Sequence, residues 1–379
     1  MGVGSYLHHL GTCLPENRFR QEDLCEELSS RFEDPRTRRL IAQAFRRSGI
    51  ETRNFAVEGF RDSDPFDDEG RASTAARNAR FAIEARTLAS RLGKDILAQP
   101  GAPAPDEITH VIFTTCTGFV NPGPDFHLVN DLGLPESVER YTVGFMGCYA
   151  AFPTLRMADQ FCRANPDANV LCICLELSSL HTRFESDPDV ILGNTVFADG
   201  AAGGIVSGNR PRAELTGGYR LDRFATATLP DGEADMAWTI GDQGFDLVLS
   251  SYVPKVISAE IGNVLERTGF SRDDVDRFAV HPGGKAILDR IESALDLAPD
   301  ALEASREVLR DCGNMSSATI LFVLQRLLET IKTGDRTLAV AFGPGLTVET
   351  AGLVGLAPVS PVVPVEESAD APEDAALTL

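Results

Sequence analysis

Basic residues are scarce in this sequence: 35 Lys plus Arg stand against 56 Asp plus Glu among 379 residues, a formal charge of −21 and a pI near 4.7. Binding a phosphate backbone or an anionic membrane surface takes a dense field of Lys and Arg, so the balance argues against nucleic-acid and membrane partners. No apolar run reaches the roughly 18 residues of a spanning helix, and the opening MGVGSYLHHLGTCLPENRF lacks a basic stretch followed by a long apolar one. The expectation is a soluble, cytoplasmic protein without membrane insertion. Zinc-finger spacing is missing too. The eight cysteines (13, 25, 116, 148, 162, 172, 174 and 312) read as reduced thiols, and no metal site is expected. What is present is ordinary globular composition, 43% hydrophobic and 24% charged, in a length that suits two packed units or one large domain.

Residues 19 to 47 carry broken helical spacing and read as an N-terminal helical elaboration. Ser73 to Leu92 starts on a good N-cap residue and repeats Ala, Phe, Ile and Leu at helical intervals, which predicts a long helix. Strand and helix then alternate: ITHVIFTTCTG, ERYTVGF and ANVLCICLEL as strands, AAFPTLRMADQFCRA as a helix. The second half repeats the order, with helices at 253–268, over KAILDRIESAL and near 315–331, and strands DRFAVHPGG, RTLAVAFGPG and TVETAGLVGLA. This duplication predicts mixed sheets between helices, each half building one sheet, with ligands gathering where strand ends meet. The expected units are 1–225, with the elaboration; 226–357; and an acidic, Pro-rich disordered tail over 358–379.

Three residues carry possible chemistry. Cys148, in YTVGFMGCYAAF, lies where a strand turns into a helix, and free N–H groups at that helix end favour a thiolate; Gly147 permits a tight approach. His281 ends a strand and opens Pro282-Gly283-Gly284, so it can reach a cleft. Asn314 stands at the beginning of an apolar helix. Taken singly, each has a plainer reading: a small buried hydrophobe, a structural ring and an N-cap. Together they suggest a thiolate nucleophile from the first half, with His and Asn from the second donating hydrogen bonds to a carbonyl oxygen. Nothing matches the Cys-Gly-Ser-Cys-Trp setting of papain-like proteases.

The segments MGCYAAF, VHPGGKAILDRIE and CGNMSSATILFVL, with FADGAA at 197–202 and FGPGLTVE at 342–349, resemble the type III polyketide synthases, the chalcone and stilbene synthase family. The resemblance covers about residues 105–356; the first hundred residues match only loosely. It implies an α/β, thiolase-like αβαβα layered fold with internal duplication, working as a homodimer. It further implies iterative decarboxylative condensation of malonyl-CoA onto an acyl-CoA starter held on Cys148, then cyclisation to a pyrone or phenolic product. Substrates are CoA thioesters, with no tightly bound cofactor and no metal. His281 and Asn314 then hold the thioester oxygen, His281 doubles as a partner cation for the thiolate, and Phe197 resembles the aromatic gatekeeper.

Departures from the plant enzymes concern the substrate cavity, whose implied lining is Phe197, Leu247, Cys116, Thr117, Ser178, His181, Trp238, Ser316 and Pro344. Leu247 replaces a second gatekeeper Phe, Trp238 a Gly, Ser178 and His181 two Thr, and Cys116 another Thr, although a packed residue beside the cavity reads equally well for Cys116; Asn121 replaces the Met that reaches into the partner subunit. Leu247 widens the throat enough for an alkyl chain, as in alkylpyrone and alkylresorcinol synthases. Arg47 aligns with a CoA-phosphate contact, with Arg39 and Arg46 nearby, although a solvated helix face reads equally well. The competing readings are a carrier-protein-dependent β-ketoacyl synthase or a thiolase, and, outside enzymes, a non-catalytic scaffolding homologue.

Overall fold

The structure, a computed structural model, describes residues 4–358 apart from 230, 231, 234, 251, 252 and 270, so all but the first residue of the expected tail lies outside the described residues. The first half runs β1 (Ser5–Cys13), β2 (Asn17–Arg20), α1 (Gln21–Ser30), α2 (Pro35–Arg47), β3 (Thr52–Phe55), α3 (Thr74–Leu97), β4 (His110–Thr115), α4 (Pro124–Leu132), β5 (Glu139–Gly144), α5 (Ala151–Ala164), β6 (Asn169–Leu177), α6 (Pro188–Val196), β7 (Asp199–Ser207) and α7 (Arg210–Thr216). The second half runs β8 (Gly218–Thr228), β9 (Met236–Gly241), β10 (Gly244–Leu249), α8 (Val253–Thr268), β11 (Arg277–Val280), α9 (Lys285–Ala294), α10 (Glu303–Cys312), α11 (Thr319–Leu327), β12 (Arg336–Gly343) and β13 (Thr347–Leu356).

Local chemistry explains these elements. The Ser73 hydroxyl accepts from Ala76 N and caps α3, which buries Phe81, Ala85, Leu88, Leu92 and Ile96 along one stripe. The helix continues past the expected end through Gly93, where a Cβ would lie 2.7 Å from Leu132 Cδ1; the missing side chain lets α4 dock closely. β6 is buried along nearly its whole length, the mark of a strand covered on both faces. Near 315–331, a 3-10 turn over Ser316–Ala318 precedes α11, so the regular helix starts later than its apolar pattern.

Among the described residues nine strands form one sheet in the order β11-β12-β13-β8-β1-β7-β6-β4-β5. From the central β1–β8 pair outward, each block repeats one sense: antiparallel, antiparallel, parallel, through β1-β7-β6-β4 and through β8-β13-β12-β11. The duplication expected from the sequence is thus present in a thiolase-like fold. The two blocks are continuous rather than separate sheets, because Ser5–His8 pair with Leu221–Gly218. The expected boundary at 225/226 falls inside β8, which pairs with β13 on both sides of it. The β9–β10 hairpin, outside this sheet, sets Trp238 directly opposite Leu247.

Candidate active site

Cys148 sits in the turn between β5 and α5, as its sequence context predicted. Gly147 has φ +81°, and a Cβ there would lie 2.3 Å from Pro344 Cδ. Gly343 likewise leaves room for the Tyr149 ring, 2.5 Å from where its Cβ would be. The Gly-Pro turn after β12 therefore docks directly on the cysteine loop, joining the halves at Cys148. Gly147 N donates to Cys116 Sγ at 3.0 Å, which fixes the loop from the other side.

Asn314 reaches the same place from the second half. Its N–H donates to Val196 O (2.9 Å) and its carbonyl accepts from Ala198 N (2.8 Å), bracketing Phe197 in a parallel bridge. Asn314 Oδ1 accepts from Ser316 N at 2.9 Å. That bond fixes the amide orientation: the oxygen faces the following turn, while Nδ2 donates to Gly283 O at 3.3 Å and lies within hydrogen-bonding reach of Cys148. The plainer N-cap reading does not hold: Met315 caps the 3-10 turn and Ala318 caps α11, and the Asn314 oxygen serves the turn ahead of them. Ser316, with φ +46°, also places its hydroxyl on Cys148. A non-glycine residue held in this region marks a conformation imposed by its surroundings.

His281 is 1% exposed, and among the described residues neither Nδ1 nor Nε2 has a hydrogen-bond partner. Its backbone is tied to β12 through N–H to Val340 O at 2.8 Å, and the residue lines the cavity that holds Cys148. Burial pulls its pKa down to about 3. Burial likewise pushes the Cys148 thiol up to about 11, against the opposing hydrogen bonds from Ser316 and Asn314. Loss of water penalises both charges of the expected thiolate–imidazolium pair, so burial opposes it in the empty site.

Cys148, His281 and Asn314 line one cavity, of about 750 Å³ counting its open mouth. Phe197, Leu247, Cys116, Thr117, Ser178, Trp238, Ser316 and Pro344 line it as well. His181 instead lines a neighbouring compartment of about 710 Å³ bounded by α1, α2 and β3. The two compartments share Ser178, Phe197, Trp238 and Leu247 as a partition. That partition is braced: Trp238 Nε1 donates to Cys116 O (3.2 Å) and His181 Nε2 bonds Thr117 O (2.7 Å). Arg39, Arg46 and Arg47 are exposed on α2, outside both compartments. Lys285, which the sequence reading passed over, lays its stem against Gly49 just beyond Arg47, where a Cβ would be 3.3 Å from Lys285 Cβ.

Glu176 was also missed. Its buried carboxylate accepts from Cys116 N (2.9 Å), Thr117 Oγ1 (2.9 Å) and Ser317 Oγ (2.5 Å), tying β6 to the segments before and after the site. Burial raises its pKa, which these donors oppose. An acid in the apolar run LCICLEL was the available signal. All eight cysteines are free, and only Cys25 and Cys148 are partly exposed. Among the described residues no group of three or more His, Cys, Asp or Glu could hold a metal ion, and no helix is long and apolar enough to cross a membrane.

The chain matches the profile of the chalcone and stilbene synthases, N-terminal domain, over residues 3–211 and that of their C-terminal domain over 221–357. It is 32% identical over 355 residues to the alpha-pyrone synthesis polyketide synthase-like Pks18 of Mycobacterium tuberculosis, covering 90% of this chain and 88% of that protein. It is 30% identical over 356 residues to probable polyketide synthase 1 of Dictyostelium discoideum, covering 91% of this chain but only 11% of that much longer protein. Two solved structures superpose with TM-scores of 0.85 at 28% identity, each over 93% of this chain and 99% of the other: the C-terminal type III polyketide synthase domain of Steely1 from Dictyostelium, and PKS-I from the brown alga Ectocarpus siliculosus.

Proposed function

The chain belongs to the chalcone and stilbene synthase family and is a type III polyketide synthase, an acyltransferase of a family that uses CoA thioesters, and from that premise we propose how its own residues divide the work. Cys148 attacks the starter acyl-CoA; its proton passes through His281 to the departing CoA sulfur, leaving an acyl thioester on Cys148. Malonyl-CoA then loses CO2 while Asn314 Nδ2 and a His281 N–H donate to its thioester oxygen, where the enolate charge develops. Two donors aimed at that oxygen stabilise the charge without a metal. The enolate carbon attacks the acyl carbonyl, expels the Cys148 sulfur and yields a β-ketoacyl-CoA two carbons longer, which reloads for the next round. The observation that carries this reading is the buried His281 ring with both nitrogens unpaired, in one cavity with Cys148 and Asn314. A buried polar atom left without a partner costs about 1–3 kcal/mol, a cost that a substrate oxygen or thiol proton would relieve.

The starter is an alkyl acyl-CoA whose tail passes the Leu247 partition into the second compartment, where Leu24, Leu28, Phe45, Phe55, Phe60 and Val190 supply apolar walls. Ring closure gives a pyrone or a phenol; likeness to a protein named for alpha-pyrone synthesis favours the pyrone. The CoA phosphates are met by Arg47 with Arg39 and Arg46. The working form is a cytoplasmic homodimer, consistent with free thiols and with Phe119, Val120 and Phe126 at 40%, 38% and 40% exposure beside the open edge of β5. Incubation with malonyl-CoA and acyl-CoAs of graded length, with products identified by mass, tests the proposal. Extended, cyclised products from alkyl starters are expected. Turnover only with a malonylated carrier protein would return the reading to a carrier-dependent synthase.

A further inference from the structure

The bridge that holds Phe197 beside Asn314 rests on a buried charge from a distant part of the chain. Arg53, on β3, is 2% exposed. Its Nη1 donates to the carbonyls of Asn194 (2.8 Å) and Phe197 (2.6 Å), and its Nε donates to Gln21 Oε1 (2.9 Å). Those carbonyls lie at the C-terminal end of α6, where backbone acceptors lack helical partners and a cation is favoured. Gln21 is anchored in turn, donating to Thr195 O at 2.8 Å and Ser48 Oγ at 3.2 Å.

The stem of Arg53 covers the other side of the bridge. Gly313, at φ +75°, immediately precedes Asn314; a Cβ there would be 2.9 Å from Arg53 Cγ and 3.1 Å from Ala198 Cβ. One side chain thus touches the gate residue's carbonyl and the backbone that delivers the carboxamide. Its guanidinium lies 5.1 Å from the centre of the Phe55 ring and 5.7 Å from that of Phe45, and the buried Asp199, whose own pKa burial raises to about 7, is near enough to act on it electrostatically. Burying a guanidinium is expensive unless its donors are used and its charge is offset, so a small displacement here is strongly resisted.

We infer that Arg53 is a positioning residue that sets the Phe197 gate and the Asn314 carboxamide relative to Cys148, without contacting the reacting atoms. The inference rests on the synthase reading above. Arg53→Met keeps a stem over Gly313 and removes every donor. Because misplacing a reacting group by about 1 Å can cost 10²-fold, kcat per folded molecule for both malonyl-CoA decarboxylation and condensation is expected to fall about 10²-fold. Arg53→Lys, which retains a cation for the α6 carbonyls, is expected to recover most of that loss. A merely structural role would lower the melting temperature while leaving kcat per folded molecule and starter preference at wild-type values, and that result would overturn the inference. Should Arg53→Met not fold, Gln21→Met loosens the same guanidinium from outside; a weaker loss of both activities supports the inference, and unchanged kcat overturns it. Wild-type enzyme inactive in both assays would instead sink the synthase reading itself.

Discussion

Replacing Asn314 by Asp isolates the proposed role of one N–H group. The carboxylate can keep the bond from Ser316 N, now 2.9 Å long, so the turn entering α11 retains its anchor. The second oxygen takes the place of Nδ2, where an acceptor now faces Gly283 O, 3.3 Å away, and the Cys148 sulfur. A donor is lost and a like charge is set against the enolate. Loss of one such donor costs about 2.7–4 kcal/mol, or about 10²–10³ in kcat, and Asn314→Ala should show that loss. Asn314→Asp should lose more, since repulsion is added to the missing bond. The assay follows acetyl-CoA formed from malonyl-CoA, with iodoacetamide labelling of Cys148 to show that the loop is intact. Wild-type decarboxylation by Asn314→Asp would refute the oxyanion role and the amide orientation behind it.

The pH dependence of Cys148 alkylation in the free enzyme follows from burial raising its pKa to about 11: the thiolate fraction, and the rate, should grow about tenfold per unit from pH 7 to 10. A plateau reached below pH 7 would show a resting ion pair with His281 instead; peptide mapping is needed because Cys25 is also partly exposed. Gly147→Ala combines φ +81° with a 2.3 Å approach to Pro344 Cδ. It should destabilise the protein by about 2–5 kcal/mol in denaturant unfolding, and an unchanged midpoint would contradict the docking of the two loops. Leu247→Phe enlarges the side chain that already stands 2.7 Å from a Cβ built on Gly193. Competition among acyl-CoA lengths should shift toward short starters, and an unchanged profile would remove Leu247 from the throat.

Much of the site was legible because its chemistry sits in short segments: Gly-Cys at a strand-to-helix turn, His before Pro-Gly-Gly, Asn before an apolar helix. The α8 pattern over 253–268 also matched its observed bounds. What was not legible depends on contacts distant in sequence. The partition formed by Trp238 and Leu247 requires the β9–β10 register, and His181 is drawn to the second compartment by the Thr117 carbonyl. Arg53 read as one basic residue among many until its three acceptors converged on it. The burial that raises the Cys148 pKa, against the thiolate-favouring position at a helix start, comes from the packing of both halves around it and has no local signature.

The central claim is that the growing chain is carried by Cys148. Brief incubation with an alkyl acyl-CoA, acid quenching and peptide mass spectrometry should find the acyl mass on the peptide containing Cys148 and on no other, with the adduct absent from Cys148→Ala. An acyl group on Cys116 or Cys25, or an acylated and still condensing Cys148→Ala enzyme, would contradict it.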